Sequence, residues 1–331
     1  MSQAPELDPR VTWGRIALGA GLALLVGVGV VLLIGRIAGY SELARTLRHA
    51  DPEWLALCAG AQVAVFAGYA GVVRGTVALE GGPSIGAWLS VRVVLASFAL
   101  TQLIAAGGVA GLAFIYWALR RLRFGARESL VRLLGLNTYV YLVFALIGFA
   151  AALAALVTGA APLPMGLCWI AAVPLLLAAA RWFTQPVRVV VWARDEGGWV
   201  RRGLAVGVSA AWWVRRAVST REGRRFAPWA LCYWVADIVS LWGALRPVDV
   251  DVGLAGWILA YGTGYVAGRI RRPLTAPPGW AAATTFAPTA AGVPPAQAWL
   301  GPRAHRVLAF PLTLAPGLLP PPLLPAPRHR P

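Results

Sequence analysis

The chain has 331 residues and a formal charge of +17, yet 59% of its residues are hydrophobic and only 13% are charged. That balance excludes an ordinary soluble domain, in which about a quarter of residues carry charge. The mean hydropathy of +0.67 makes lipid the expected solvent for most of the chain, and with the arginines flanking apolar runs, anionic phospholipid headgroups replace nucleic acid as the expected partner.

A first apolar run extends from Trp13 to Gly35, longer than a typical secretory h-region and preceded by Glu6 and Asp8, so it reads as an uncleaved helix. The stretch from Arg36 to Glu53 mixes charge with Ile37, Leu43 and Leu47 at near-helical spacing, which suits a surface position. A second span is expected from Trp54 to about Val73, closed by the turn signal Glu80-Gly81-Gly82-Pro83.

From Ile85 to Leu119 the chain stays apolar for longer than one crossing needs but barely long enough for two. The pair Gly107-Gly108 marks a break, and a broken or re-entrant helix pair is the expected form. Beyond the basic stretch Arg120 to Arg132, spans are expected from Leu133 to about Val157 and from Met165 to Ala180. The connection Arg181 to Ala227 then carries ten arginines against Asp195, Glu196 and Glu222. Because Trp192, Trp199, Trp212 and Trp213 are interspersed there, it reads as interfacial amphipathic helix.

Two further spans, Pro228 to Leu245 and Val252 to Gly268, flank a turn with Asp249 and Asp251. The basic stretches 120–132, 181–227 and 269–272 are each two spans apart and therefore share a side, which arginine excess assigns to the cytoplasm of a multi-pass cell-membrane protein. From Pro273 onward the chain holds 15 of its 25 prolines, each unfavourable inside a helix. The expected fold is thus an all-α polytopic transmembrane bundle of about six to eight spans. Residues 1–272 form the membrane domain and 273–331 a proline-rich continuation.

Asp237 is the candidate that stands out, a carboxylate in the middle of an apolar span, where ionisable groups face protein or water. Tyr233 and Ser240 lie at helical spacing on the same face. Their stripe reads either as a headgroup or proton site or as a buried structural hydrogen bond. Arg92 and Gln102 lie in the long apolar segment with Gly107 and Gly108, and Asn137 opens the next span. Arg92 is close enough to its span's end to snorkel, and Asn137 suits helix packing. Cys58, Cys168 and Cys232 sit in apolar runs without metal-ligand spacing, and no phosphate-binding loop, nucleophile elbow or paired catalytic carboxylates occur. Neither a cofactor nor an enzymatic activity is expected.

The segment LTQLIAAGGVAGLAFIYWALRRLRFGARESLVRLLGLNTYVY from Leu100 to Tyr141, and the span WALCYWVADIVSLWGAL from Trp229 to Leu245, resemble the membrane domain of lysylphosphatidylglycerol synthases and the flippase-like family built on it. The resemblance implies lipid binding or translocation between leaflets. It does not imply synthase chemistry, because the chain has no motif for the soluble aminoacyl-transfer domain. Where the family has an acidic residue after a late Pro-Gly turn, Ala276-Pro277-Pro278-Gly279-Trp280 is followed by no carboxylate, so that position has no counterpart. The stretch GVPPAQAWLGPRAHRVLAF resembles the family's closing helices with proline at leucine sites, which suggests a degenerate or misread terminus. The readings that compete with a lipid carrier are a membrane-embedded lipid-modifying enzyme and a non-catalytic assembly partner.

Overall fold

A computed structural model of the chain describes residues 52–103, 108–192, 198–245, 253–271 and residue 289. The expected first span, nearly all of the mixed-charge stretch after it, Gly107, the Asp249 turn and the rest of the proline-rich tail lie outside those residues. The described chain is helical throughout, with no strand: α1 Pro52–Ala78, α2 Ala87–Leu103, α3 Gly108–Arg121, α4 Ala126–Thr158, α5 Leu163–Phe183, α6 Pro186–Trp192, α7 Trp199–Ser219, α8 Arg221–Arg224, α9 Ala227–Leu245 and α10 Leu254–Arg271. Three stretches of helix among the described residues are long and apolar enough to cross a membrane: Pro52–Gly81, Ala126–Thr158 and Leu163–Phe183. The last turns Leu167, Leu175, Leu176 and Leu177 outward, a face that water would penalise and lipid accepts.

The most extensive packing joins α1 to α9, two helices more than 140 residues apart in the chain. They run antiparallel: Phe226 lies against Gly75, Trp229 against Gly71, Tyr233 against Gly68 and Trp242 against Trp54. The glycines let the backbones approach so closely that a Cβ on Gly68 would sit 2.6 Å from the Tyr233 backbone nitrogen. Small residues at helical spacing serve this purpose in membranes, where lipid tails are as apolar as leucine and close van der Waals contact must drive association. Polar groups fasten the far end. The Gln62 amide donates to the Ser240 hydroxyl at 2.9 Å, and the Cys58 thiol donates to the Ser240 carbonyl at 3.3 Å.

Helix α4 is the hub, with α5, α7 and α10 packed along it and α3, α9 and α1 also in contact. It begins at Ala126, seven residues before the expected span, so Arg127 and Arg132 belong to the helix and not to a loop. Arg132 is 3% exposed. Its guanidinium bonds Glu128 at 3.0 Å, donates to the carbonyls of Thr76 and Leu79 at 2.7 and 3.1 Å, and lies over the Phe124 ring. Those carbonyls close α1 and its terminal turn, where helical partners run out, so one cation completes the end of a neighbouring helix.

After α1 the chain reverses through Glu80 and Gly81, with φ of 60° and 75°, as the Glu-Gly-Gly-Pro signal suggests. Glycine takes a positive φ freely. Glu80 does so at a cost, and its carboxylate is held by Arg216 of α7 at 3.0 Å. Helices α2 and α3 pack on each other where Ser97 donates to the Gly111 carbonyl at 3.0 Å. Their described parts, of 17 and 14 residues, span about 25 and 21 Å.

Helix α7 occupies much of the arginine-rich connection and packs on α4, with Ala205, Ala210, Trp213, Val214 and Ala217 buried. Trp199 is 85% exposed, but Trp213 is only 4% exposed and seats on Gly135. Of the tryptophans read as headgroup-level residues, Trp213 is therefore a core residue. The contacts of Arg132 with Thr76, Glu80 with Arg216 and Tyr139 with Gly223 gather the turn after α1, the start of α4 and the α7–α9 junction at one end of the bundle. Helix α10 runs antiparallel to α4, with Gly253 beside Ala160 and Tyr265 opposite Tyr141, so its arginine-bearing terminus points to the same end.

Candidate functional site

Helix α9 packs chiefly on α1 and also meets α4 and α10. Asp237 is half-buried, and its Oδ2 accepts a hydrogen bond from the Tyr261 hydroxyl of α10. Tyr261 is completely buried, so the bond links the two helices inside the bundle. A carboxylate on an apolar helix needs such a donor or water, since an unpaired buried charge is strongly disfavoured.

Around this pair lies a nucleus of aromatic rings. Trp234 stacks on Phe144 of α4 with centroids 4.2 Å apart, and its indole N–H donates to the Val140 carbonyl at 2.8 Å. Tyr265 meets the edge of Trp234, and its hydroxyl shares a 3.2 Å hydrogen bond with Tyr141. Trp169 of α5 closes another side, with its N–H donating to Thr263 at 2.9 Å. Gly148 and Gly262 leave the space that its ring fills. Tyrosine and tryptophan suit this place because each ring packs as an apolar body while one polar tip finds a partner.

The residues singled out by spacing are distributed among different helix contacts. Tyr233 packs beside Tyr69 of α1, with ring centroids 5.4 Å apart, and against Trp234. Ser240 is fully buried and turned to α1, where its hydroxyl accepts from Gln62 and donates to the Cys58 carbonyl at 3.4 Å. Asp237 and Ser240 share a broad face yet serve different neighbours. The Asn137 amide donates to the Leu133 carbonyl of its own helix at 2.8 Å.

Arg92 is half-buried near the start of α2, a helix that packs on α1 and α3. Gly108 is the first described residue of α3. Gln102 stands next to the last residue of α2 with its side chain outside the described residues, and Gly107 lies outside them altogether.

Spacing along one helix misses Tyr261 and Tyr265, which with Trp234, three residues before Asp237, complete its surroundings. A signal for the first two is present in retrospect, as hydroxyl-bearing rings four residues apart on one helical face. Among the described residues, no group of three or more His, Cys, Asp or Glu side chains is placed to hold a metal ion. The chain matches no protein-family model, no curated protein and no solved structure.

Proposed function

We propose that the protein is a multi-pass membrane protein that binds lipid headgroups and passes them between leaflets, in the manner of the flippase-like family its sequence resembles. The observation that carries this reading is Asp237: a half-buried carboxylate on an apolar helix, bonded to Tyr261 and set among further tyrosine rings. Polar groups held at membrane depth by neighbouring helices are where a headgroup exchanges its water for protein partners. The acyl chains stay in lipid against outward apolar faces such as that of α5.

Two further features support the reading. The described parts of helices α2 and α3, which flank the expected break at Gly107-Gly108, fold against one another. A re-entrant hairpin of this kind is tolerated where protein or a wet cavity satisfies its backbone. The basic end of the bundle is the cytoplasmic end, where it attracts anionic phospholipid.

The rival reading is structural: the Tyr261 bond alone explains how a carboxylate can persist on α9. Reconstitution separates the two. Protein in vesicles that carry a headgroup-labelled phospholipid in one leaflet should speed its appearance in the other, and Asp237→Asn should insert normally but lose that acceleration. Equal translocation by the parent and Asp237→Asn would remove the carboxylate from the mechanism.

A further inference from the structure

Tyrosines from three other helices gather around Tyr233 and Asp237 of α9. Tyr69 of α1, Tyr141 of α4 and Tyr265 of α10 all stand within electrostatic range of Tyr233, as Asp237 itself does. Tyr69 and Tyr233 pack with ring centroids 5.4 Å apart, and Tyr141 and Tyr265 both flank Trp234. The cluster reaches the surface of the described bundle at Tyr141, which is 37% exposed.

Its hydrogen bonds are only partly made. Tyr261 donates to Oδ2 of Asp237, and Tyr141 and Tyr265 share one bond. Among the described residues, Oδ1 of Asp237 and the hydroxyls of Tyr69 and Tyr233 have no partner, and Asp237 pairs with no arginine. None of the three is sealed in the core, since the buried side-chain atoms without a partner belong to Thr76, Trp213 and Trp257. One carboxylate acceptor and two phenol donors are therefore open to a ligand.

That combination selects the chemistry of the ligand. A phosphate accepts from both phenols but is repelled by Asp237, whose charge no arginine offsets. An ammonium only donates, so it satisfies Asp237 and leaves both phenol O–H groups without an acceptor. A hydroxyl does both. A group with several hydroxyls on a carbon frame can donate to Oδ1, accept from Tyr69 and Tyr233, and rest its frame against the rings.

We propose that Asp237, Tyr69 and Tyr233 bind a sugar, carried as the uncharged headgroup of a glycolipid or as a free saccharide. The inference rests on the reading of Asp237 as a headgroup site and adds the class of headgroup.

The test uses the full chain in a polyoxyethylene detergent, which brings no sugar of its own. Native mass spectrometry measures retention of monoglucosyl diacylglycerol against diacylglycerol, phosphatidic acid and phosphatidylethanolamine, and saturation-transfer NMR measures binding of glucose. Tyr69→Phe and Tyr233→Phe keep the rings and remove hydroxyls that bond no described residue, so a purely structural cluster would not register either change. Each should weaken sugar binding about three- to tenfold.

Preferential retention of the glucosyl lipid that both variants weaken supports the proposal with a lipid source. Glucose binding that both variants weaken, without preference among the lipids, supports it with a free saccharide. Preference for phosphatidylethanolamine or phosphatidic acid, binding of neither sugar probe, or affinity unchanged in both variants overturns it. Phospholipid translocation that still depends on Asp237 would then leave the headgroup reading standing without the sugar, so the two failures are distinguishable.

Discussion

Replacing Gly68 by alanine tests whether the α1–α9 contact depends on bare backbone. The added Cβ would lie 2.6 Å from the Tyr233 nitrogen and 2.8 Å from the Trp229 carbonyl oxygen. Ordinary contact begins near 3.4 Å, and both obstacles are backbone, so α9 must retreat by about 0.8 Å or α1 must bend. Overpacking of this kind costs about 1–3 kcal/mol. Alanine also favours helix over glycine by about 1 kcal/mol, which would blur the result taken alone.

Gly60→Ala supplies the reference. Gly60 lies on the same helix, is exposed and would place a Cβ with nothing within 4 Å, so it gains the same propensity without the clash. The stability difference between the two variants is then the packing term alone, about 1–3 kcal/mol. At roughly 2–4 °C per kcal/mol, taken from soluble domains, the heating midpoints of detergent-solubilised protein should differ by roughly 2–12 °C, with Gly68→Ala lower. Equal midpoints would refute the claim that the glycine row sets the approach of these helices.

Arg132→Lys should destabilise the protein by about 1–3 kcal/mol in the same heating assay, because an ammonium cannot span Glu128, two carbonyls and the Phe124 ring as a planar guanidinium does. Unchanged stability would show the clamp to be dispensable. In a background without the native cysteines, Arg123→Cys and Arg221→Cys should resist a membrane-impermeant thiol reagent added outside cells, whereas Ala160→Cys in the α4–α5 connection should react. Labelling of the first two would reverse the orientation.

Hydrophobic runs made the helices legible, since a bilayer imposes both length and apolarity on whatever crosses it. They located α5 to within three residues at either end and the starts of α9 and α10 to within two, but clipped α4, whose first turns carry residues such as Arg127 that hydropathy scores as loop. Asp237 was legible as a carboxylate where carboxylates are unfavourable. Its partner was not, because Tyr261 lies on another helix and spacing along one helix says nothing about which helix it meets. The same ignorance joined Ser240 to Asp237: the two differ by only a fraction of a turn, and that fraction separates the α1 side of α9 from the α10 side. Arg132 and Trp213 have the composition of interfacial residues, and only packing reveals that both are buried.

The bond between Tyr261 and Asp237 offers a way to weigh its structural part separately from any transport. Tyr261→Phe removes the hydroxyl and keeps the ring in the aromatic nucleus, while Asp237→Asn keeps an acceptor and removes the charge. A hydrogen bond to a charged group contributes about 1.5–3 kcal/mol net, and one to an amide about 0.5–1.5 kcal/mol. The coupling measured by the two single variants and the double variant should therefore be about 1 kcal/mol, read from heating midpoints or denaturant titration. Zero coupling would mean that the charge of Asp237 adds nothing to the bond beyond what an amide acceptor supplies. The single variants carry the sharper distinction. Asp237 is half-buried, so after Tyr261→Phe water or a headgroup should reach its oxygens and keep the loss below about 2 kcal/mol. A loss of about 3–5 kcal/mol, the range for stranding one member of a buried charged pair, would instead make Asp237 a sealed structural tether and leave the lipid reading without its main support.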